Sequence, residues 1–277
     1  MNPSATAKGR QINCGVVSLI DLAPGNPDHF KITISSEYIS QNAVPGQFIH
    51  VKPPDSGEML RRPFSIHSVA TETNDFTVIF RVIGEGTRLL TGVRPGDVLD
   101  IIGPLGNGYS VSGDHPVIIT GGGVGIPPLV LLSKKFLEAG LSPGSEIRIC
   151  IGARDTATLV CEDDFRDMGI EPVIATEDGS RGIKGFVTHA MDQLENIEPG
   201  TVVYSCGPVP MLHAVKKWAE TRNLECFVSL ENKLGCGIGA CLGCSIPVTD
   251  ENGNISYRRV CCDGPVFDAS IVSFEEM

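Results

Sequence analysis

The sequence predicts three consecutive units: an N-terminal antiparallel β-barrel over residues 1–112, a doubly wound α/β unit with a parallel sheet over 113–231, and a small cysteine-rich segment over 232–277. Three observations support this division. Short β-branched runs broken by turn residues fill the first part, apolar strands alternate with helical segments in the second, and five cysteines crowd between positions 236 and 262. A chain of 277 residues also exceeds what one small core usually holds.

The first unit is rich in short runs of β-branched and aromatic residues. FKITISSEYI, GQFIHVKP, FTVIFRVI and DVLDIIGP lie between turn signals such as VRPGD. This pattern is typical of an antiparallel barrel, and no long helix is expected within it.

The second unit alternates apolar strands with helices. HPVIIT is followed by PPLVLLSKKFLEAG and then by SEIRICIGA, and the alternation continues to ECFVSLE. Such alternation implies right-handed crossovers and a parallel sheet covered on both faces. The pattern therefore predicts a nucleotide-binding type of α/β domain.

Charge and hydropathy restrict the function classes. A net charge of -11 argues against a nucleic-acid partner, because binding to phosphates depends on Lys and Arg. The N-terminus lacks an apolar run of signal-peptide length, and no stretch of about 18 apolar residues occurs. We therefore expect a soluble, cytoplasmic protein without a membrane partner.

The cysteine-rich segment carries the most specific motif. Cys236-x4-Cys241-x2-Cys244, with Cys261 further on, has the spacing of plant-type [2Fe-2S] ferredoxins. Two bridged irons need four thiolates on a compact surface, and the glycines between these cysteines let the backbone wrap closely around them. The pattern predicts a [2Fe-2S] cluster.

A structural zinc site is the alternative, since four cysteines also satisfy tetrahedral zinc. Zinc sites usually use paired Cys-x2-Cys knuckles, whereas a single triplet with many glycines favours iron and sulfide. Spacing alone leaves the fourth ligand open between Cys261 and its neighbour Cys262.

A second motif, Arg62-Pro63-Phe64-Ser65, falls on a predicted barrel strand. A guanidinium suits a flavin pyrophosphate, and a serine hydroxyl can bond near the isoalloxazine edge. Taken alone, the tetrapeptide is weak and favours an ordinary strand with a surface arginine.

A third motif is a glycine turn between a strand and a helix that opens with two prolines. Its glycines are Gly121, Gly122, Gly123 and Gly125. Glycines let phosphates approach the backbone, and a helix N-terminus offers unpaired N–H groups. Ile126 occupies the place of the last glycine in the usual dinucleotide fingerprint, so a tight turn without a ligand is the alternative.

Two later strand ends point to the same crevice. The carboxylates of Glu177 and Asp178 suit ribose hydroxyls and repel a 2′-phosphate, which favours NAD over NADP. The other strand end, Cys206-Gly207-Pro208, suits a wall beside the nicotinamide. Both also fit ordinary turns and helix caps.

Together, these motifs in this order resemble the ferredoxin-reductase-like flavoprotein superfamily and, within it, the electron-transfer subunits of class 1B dihydroorotate dehydrogenases. The resemblance covers nearly the whole chain, and its most specific parts are the cluster loop and the run Cys261-Cys262-Asp263-Gly264-Pro265-Val266-Phe267. It implies that Cys261 is the fourth ligand. It also implies FAD bound in the barrel by residues Arg62, Pro63, Phe64, Ser65, Ile79, Phe80, Arg81, Gly86 and Thr87.

The resemblance further implies a separate FMN-containing catalytic subunit that oxidises dihydroorotate, in a heterotetramer with two copies of each subunit. Electrons would pass from FMN through the cluster to FAD and then to NAD, in pyrimidine biosynthesis. No catalytic acid, base or nucleophile is then expected on this chain, and His67, beside the flavin motif, is interpreted as structural.

Two other functions stay open at this point. One is a subunit of an NADH-dependent ferredoxin or sulfur reductase, although such relatives often carry Asp in place of the first cysteine, which is Cys236 here. The other is a non-enzymatic module with a structural zinc, which would be colourless when purified.

Overall fold

The structure, a computed structural model, describes residues 12–22, 28–54, 57, 60–250 and 252–277, and for residues 12–22 only the backbone. The polar turn between the strands Ser245–Thr249 and Ile255–Arg259, after Asp250, is therefore described except at position 251. Among the described residues, no helix is long and apolar enough to cross a membrane.

The first unit is a closed antiparallel barrel, as predicted. Its strands follow the order β1-β2-β5-β4-β3-β6, and β6 pairs with β1 to close it. The elements are β1 (Ile12–Leu22), β2 (His29–Ser35), α1 (Glu37–Asn42), β3 (Phe48–Val51), β4 (Arg62–Ala70), β5 (Asp75–Arg81), α2 (Glu85–Leu90) and β6 (Val98–Leu105).

Alternation of side chains fills the barrel interior. Along β6 every second residue is buried, as a strand with one face on a core requires. Ile32, Ile66 and Phe76 come from three different strands and meet in one buried cluster. The barrel leaves no open sheet edge, because its first and last strands pair with each other.

The second unit is the predicted doubly wound sheet. Its elements are β7 (Val117–Gly122), α3 (Pro127–Glu138), β8 (Ile147–Ala153), α4 (Glu162–Asp167), β9 (Val173–Thr176), β10 (Ile183–Lys184), α5 (Val187–Met191), β11 (Val202–Cys206), α6 (Val209–Glu220) and β12 (Glu225–Ser229). The strands from β10 to β12 pair in parallel. All six residues of β7 are buried, as expected for a central strand covered on both faces.

The strand order fixes where a ligand binds. The sheet has the strand order β10-β9-β8-β7-β11-β12-β15. The chain adds β8, β9 and β10 on one side of β7, and then adds β11 and β12 on its other side. The reversal lies between β7 and β11. In open α/β sheets, ligands bind outside the carboxyl ends of the strands at such a switch point.

The cysteine-rich segment is not a detached appendage. It contains the hairpin β13 (Ser245–Thr249) and β14 (Ile255–Arg259), followed by β15 (Val266–Asp268), which pairs antiparallel with β12. Cys244 and Cys261 share a buried core with Phe48 and Leu105 of the barrel. The segment therefore packs against both larger units.

Candidate functional site

One large cavity lies at the switch point and is lined by all three units. Its volume is about 980 Å³, within the range of ligand pockets. Most of the predicted cofactor residues line it: Arg62, Pro63, Phe64, Ser65, Ile79, Phe80, Arg81, Gly86, Thr87, Gly122, Gly123, Gly125, Glu177, Cys206, Gly207 and Pro208. Gly121 and Asp178, also predicted, do not.

The Arg62 side chain lies close over Gly86 at the entrance of the flavin part of the cavity. A Cβ atom at position 86 would lie 2.5 Å from Nε of Arg62, so only glycine leaves room for the guanidinium there. Arg62 comes from β4 and Gly86 from the first turn of α2, which brings a cation close to the start of that helix. This combination suits a diphosphate.

Thr87 shapes the loop beside this cation. Its hydroxyl oxygen accepts hydrogen bonds from the backbone N–H groups of Ile83 (3.1 Å) and Gly84 (3.2 Å), and it donates to the carbonyl of Gly84 at 2.9 Å. Thr87 is itself buried. Its hydroxyl therefore holds the cavity-lining loop in place.

Aromatic rings form the apolar wall of the flavin part. Phe64 and Phe80 have ring centroids 5.0 Å apart, and Phe80 stacks on Phe30 at 6.0 Å. Phe64 and Phe80 belong to the barrel core while they line the cavity. A planar, mostly apolar ring system such as isoalloxazine fits a wall of this kind.

The glycine turn has two separate physical functions. Gly123 has φ +55° and nothing within 4 Å of an added Cβ, so its backbone is open to a ligand. A Cβ added at Gly121 would lie 2.6 Å from the Leu129 side chain. A Cβ added at Gly125 would lie 2.4 Å from the carbonyl oxygen of Cys206. Gly121 therefore serves helix packing, and Gly125 permits the close approach of the β11 end.

Cys206 lies at the end of β11 as a buried thiol. Burial, followed by the nearby charge of Glu231, raises the pKa of Cys206 to about 12. The thiol therefore stays neutral, which suits a wall rather than a nucleophile.

The two predicted acidic residues are used differently. Glu177 lines the cavity, whereas Asp178 accepts hydrogen bonds from N–H and Oγ of Ser180 at 2.9 and 2.7 Å. These bonds lower the pKa of Asp178 and tie it to its own turn. Of these two carboxylates, only that of Glu177 lines the cavity.

Several lining residues were missed by the sequence reasoning, among them Arg154, Thr158, Phe186, Met211, Ser229, Glu231 and Asn232. Arg154 follows β8 directly, and Glu231 and Asn232 lie just beyond β12. The rule that ligands bind beyond the carboxyl ends of parallel strands could have found these three. Burial raises the pKa of the Glu231 carboxyl.

The cluster loop presents its backbone to sulfur. Sγ of Cys236 accepts hydrogen bonds from the N–H groups of Ile238 (3.4 Å), Ala240 (3.3 Å) and Cys241 (3.4 Å). Burial opposes ionisation, but these donors outweigh it and lower the pKa of Cys236 to about 6. A thiolate is the form that binds iron.

The four predicted cysteine ligands lie as two pairs. Cys236 and Cys241 are hydrogen-bonded to each other in the exposed loop. Cys244 and Cys261 form a buried pair, and burial, then Cys244, raises the pKa of Cys261 to about 12. In the part of the chain that the structure describes, no three His, Cys, Asp or Glu side chains gather around one metal position.

Two pairs of thiols match the two protein ligands that each iron of a [2Fe-2S] cluster needs. Cys262 lies close to the loop as well, because a Cβ at Gly239 would be 2.8 Å from its sulfur. Cys261, however, is the residue that pairs with Cys244.

A barrel residue contacts the cluster loop, which nothing in the sequence indicated. Gly237 has φ +68°, and an added Cβ there would lie 2.5 Å from Nδ1 of His50. Burial, followed by the charge of Arg61, lowers the pKa of His50 to about 4, so the ring is neutral. Only glycine admits this contact between β3 and the loop.

The fold and these sites define an electron-transfer oxidoreductase with FAD-, NAD- and iron–sulfur-binding parts. Family models agree: an oxidoreductase FAD-binding domain matches residues 23–109, an oxidoreductase NAD-binding domain 119–217, and the iron–sulfur cluster binding domain of dihydroorotate dehydrogenase B 231–273.

Curated relatives make the assignment specific. The dihydroorotate dehydrogenase B (NAD(+)) electron transfer subunit of Fusobacterium nucleatum is 37% identical over 269 residues, covering 95% of this chain and 98% of that protein. The subunit of the same description from Caldanaerobacter subterraneus is 41% identical over 238 residues, 86% and 90% of the two chains. The chain belongs to the family of dihydroorotate dehydrogenase B (NAD(+)) electron transfer subunits.

Solved structures share the fold. The NADH-dependent reduced ferredoxin–NADP oxidoreductase, studied for flavin-based electron bifurcation, aligns with a TM-score of 0.82 and 30% identity over 95% of this chain and 91% of that chain. The ferredoxin reductase of carbazole 1,9a-dioxygenase aligns with a TM-score of 0.67 over 79% of this chain and 68% of that chain, at 19% identity. The latter likeness concerns the fold alone.

Proposed function

We propose that this chain carries electrons between an FMN-containing dihydroorotate dehydrogenase subunit and NAD, through a [2Fe-2S] cluster and FAD, in pyrimidine biosynthesis. The observation that carries the proposal is the shared cavity. The flavin strand, the glycine turn and residues of the cluster segment, such as Leu234 and Val260, all line it. One chain can therefore bring the three cofactors together.

A flavin, when bound, can exchange single electrons with a cluster and an electron pair with a nicotinamide, which is the chemistry that joins the two carriers. The chain's own residues bind and orient it. Arg62 and the backbone around Gly86 would hold its diphosphate, and Phe64, Phe80 and the Ser65 hydroxyl would bind the ring system.

The dinucleotide would lie along the glycine turn on the opposite side. The open backbone at Gly123 would bind its phosphates, and the Glu177 carboxylate would accept a hydrogen bond from a ribose hydroxyl. The neutral thiol of Cys206 closes the wall of the cavity, and burial there keeps water from the reacting atoms.

The cluster would be held by Cys236 and Cys241 on one iron and by Cys244 and Cys261 on the other. The three N–H groups that point at Cys236 Sγ stabilise negative charge on the sulfur. Such hydrogen bonds are one of the means by which proteins adjust the reduction potential of a cluster.

We also propose a heterotetramer with two copies of each subunit, residing in the cytoplasm. Relatives named as electron transfer subunits support a catalytic partner. Iron ligation needs reduced cysteines, which reducing compartments maintain. The division into residues 1–112, 113–231 and 232–277 is proposed on the same resemblance.

The test is the visible spectrum of anaerobically purified protein. We expect flavin and iron–sulfur bands that bleach with NADH, and that bleach with dihydroorotate only when the FMN subunit is present. Bands that bleach with NADH but never respond to dihydroorotate would contradict the pyrimidine assignment while keeping the cofactors.

A second candidate is a subunit of an NADH-dependent ferredoxin-type reductase. The observation in its favour is the TM-score of 0.82 with the ferredoxin–NADP oxidoreductase. The cysteine at position 236 argues against it. Reduction of ferredoxin by the NADH-reduced protein, without any dihydroorotate response, would favour this second function.

A further inference from the structure

The most extensive contact between the barrel and the α/β unit lies between β4 and α3. β4 carries the flavin residues Arg62 to Ser65, and α3 follows the glycine turn directly. Leu131 of α3 is fully buried within the barrel core, so the helix inserts an apolar side chain into the other unit. Apolar contact of this kind holds the units together without fixing their angle, because it is not directional.

His67 makes a directional contact, a hydrogen bond, between β4 and α3. Its Nδ1 lies 3.1 Å from the carbonyl oxygen of Pro127, the first residue of α3. A carbonyl only accepts, so Nδ1 carries the proton and donates. The ring is 1% exposed, which means that water cannot replace this bond.

The other ring nitrogen faces a second element of the α/β unit. Nε2 of His67 lies 3.4 Å from Oδ1 of Asp164 in α4. Although burial opposes it, His67 and then Lys31 of β2 keep the pKa of Asp164 below its usual value. The carboxylate of Asp164 is therefore negatively charged between two basic side chains of the barrel.

A residue with an unfavourable backbone conformation, Cys161, holds the Asp164 carboxylate in place. Cys161, the residue before α4, has φ +63° although it is not a glycine, and its thiol is hydrogen-bonded to Asp164. Such a conformation is unfavourable for a residue other than glycine and persists only where surrounding contacts impose it.

The position of His67 relates these contacts to the cofactors. Ser65 and His67 lie two residues apart on β4, beside the β-bulge between Ile66 and Ser68 in its pairing with β5, and Ser65 lines the cavity. Pro127 lies two residues beyond Gly125, which lines the opposite side of the cavity. One hydrogen bond thus joins the flavin strand to the dinucleotide turn.

We propose that His67 is a positioning residue that fixes β4 against the start of α3 and against α4, and thereby sets the distance at which nicotinamide meets flavin. The inference deepens the proposed function and rests on it. A buried histidine that served only stability would affect folding but not the geometry of the two rings.

The test compares His67→Leu and His67→Gln with the unaltered FAD-loaded protein. Leucine keeps the apolar packing and removes both polar contacts, whereas glutamine keeps an N–H donor. The matched control is His213→Leu, because His213 also pairs with a carboxylate, Glu275 at 3.3 Å, but lies on α6 outside the cavity lining. Anaerobic mixing with NADH gives three readouts: the NADH dissociation constant, the rate of flavin bleaching, and the long-wavelength charge-transfer absorbance of stacked flavin and nicotinamide.

For His67→Leu we expect bleaching about ten- to a hundred-fold slower and a weaker charge-transfer band, with NADH affinity within about two-fold, because small misplacements of reacting groups have effects of this size. Glutamine should restore part of both signals, and His213→Leu should change neither. If His67→Leu does not fold, Asp164→Ala, whose side chain is 32% exposed, should show the same losses to a smaller degree.

A His67→Leu protein with wild-type bleaching and charge-transfer absorbance would overturn the inference. So would a folded Asp164→Ala protein without any loss, should the leucine variant not fold. If NADH fails to bleach the flavin of the unaltered protein, the proposed function itself fails, and the inference falls with it.

Discussion

Gly86 leaves the space that the Arg62 side chain needs. The guanidinium occupies space that any side chain at position 86 would fill. We expect Arg62→Gln to weaken FAD binding by about ten- to a hundred-fold, since charged hydrogen bonds contribute about 1.5–3 kcal/mol. Titration of flavin-free protein with FAD measures this effect.

Gly86→Ala should weaken FAD binding as well, by displacing the guanidinium. Arg88→Gln is the matched control, because Arg88 is exposed and paired with Glu85 in the same helix. Equal losses from Arg62→Gln and Arg88→Gln would contradict a specific site for the diphosphate.

The two adjacent cysteines at 261 and 262 make a second prediction. Cys261 pairs with Cys244, whereas Cys262 packs against Gly239. Cys261→Ser should therefore lose the iron–sulfur absorbance and most of the iron, and Cys262→Ser should keep both. Iron analysis and the visible spectrum of the two variants measure these losses. The reverse result would identify Cys262 as the fourth ligand.

Glu177 gives a prediction about specificity. Its carboxylate repels a 2′-phosphate, and Arg154 lines the same cavity and can attract one. We expect Glu177→Ala to lower kcat/KM for NADH and to raise it for NADPH. Asp178→Ala, the matched control, should leave the ratio unchanged, because Asp178 bonds within its own turn.

At the scale of elements, periodicity predicted most of the fold. The barrel strands and the alternating strands and helices follow from side-chain patterns that repeat every two or every 3.6 residues. The helix after Gly185 is short, Val187–Met191, and Leu194 and Ile197 pack against the core from beyond its end. Two-residue β10 has too few residues to show any period.

β15 was missed for a different reason. Its three residues, Val266–Asp268, acquire their strand conformation only by pairing with β12, a contact between distant parts of the sequence. Likewise, the lining role of Arg154 and the contact of His50 with Gly237 depend on which elements become neighbours. Motifs predicted most of the residues that line the cavity, whereas tertiary contacts determined which further residues join them.

Phe267 tests the importance of β15. Its ring is buried and fills the space beside Gly264, where an added Cβ would lie 2.1 Å away. Phe267→Ala should cost about 3–5 kcal/mol and lower the temperature at which the cluster absorbance disappears by about 5–10 °C. Tyr257→Ala on exposed β14 should leave that temperature nearly unchanged.

At the scale of the whole molecule, the proposed path has separable halves. NADH would bind in the α/β unit and reduce the flavin there, whereas the cluster would connect the flavin to the FMN subunit. A Cys236→Ser protein without a cluster should therefore still be bleached by NADH at the flavin, but should pass no electrons to or from the FMN subunit. Loss of NADH-dependent bleaching would show that the two halves are not independent.

The antiparallel strand β15 also protects the molecule from association with its own copies. It covers the edge of β12, and the opposite edge of the sheet is β10, which is only two residues long. Open edges of adequate length pair with other chains, and very short ones do not. A shortened chain ending at Glu231 would expose the whole of β12, and we expect it to aggregate edge to edge.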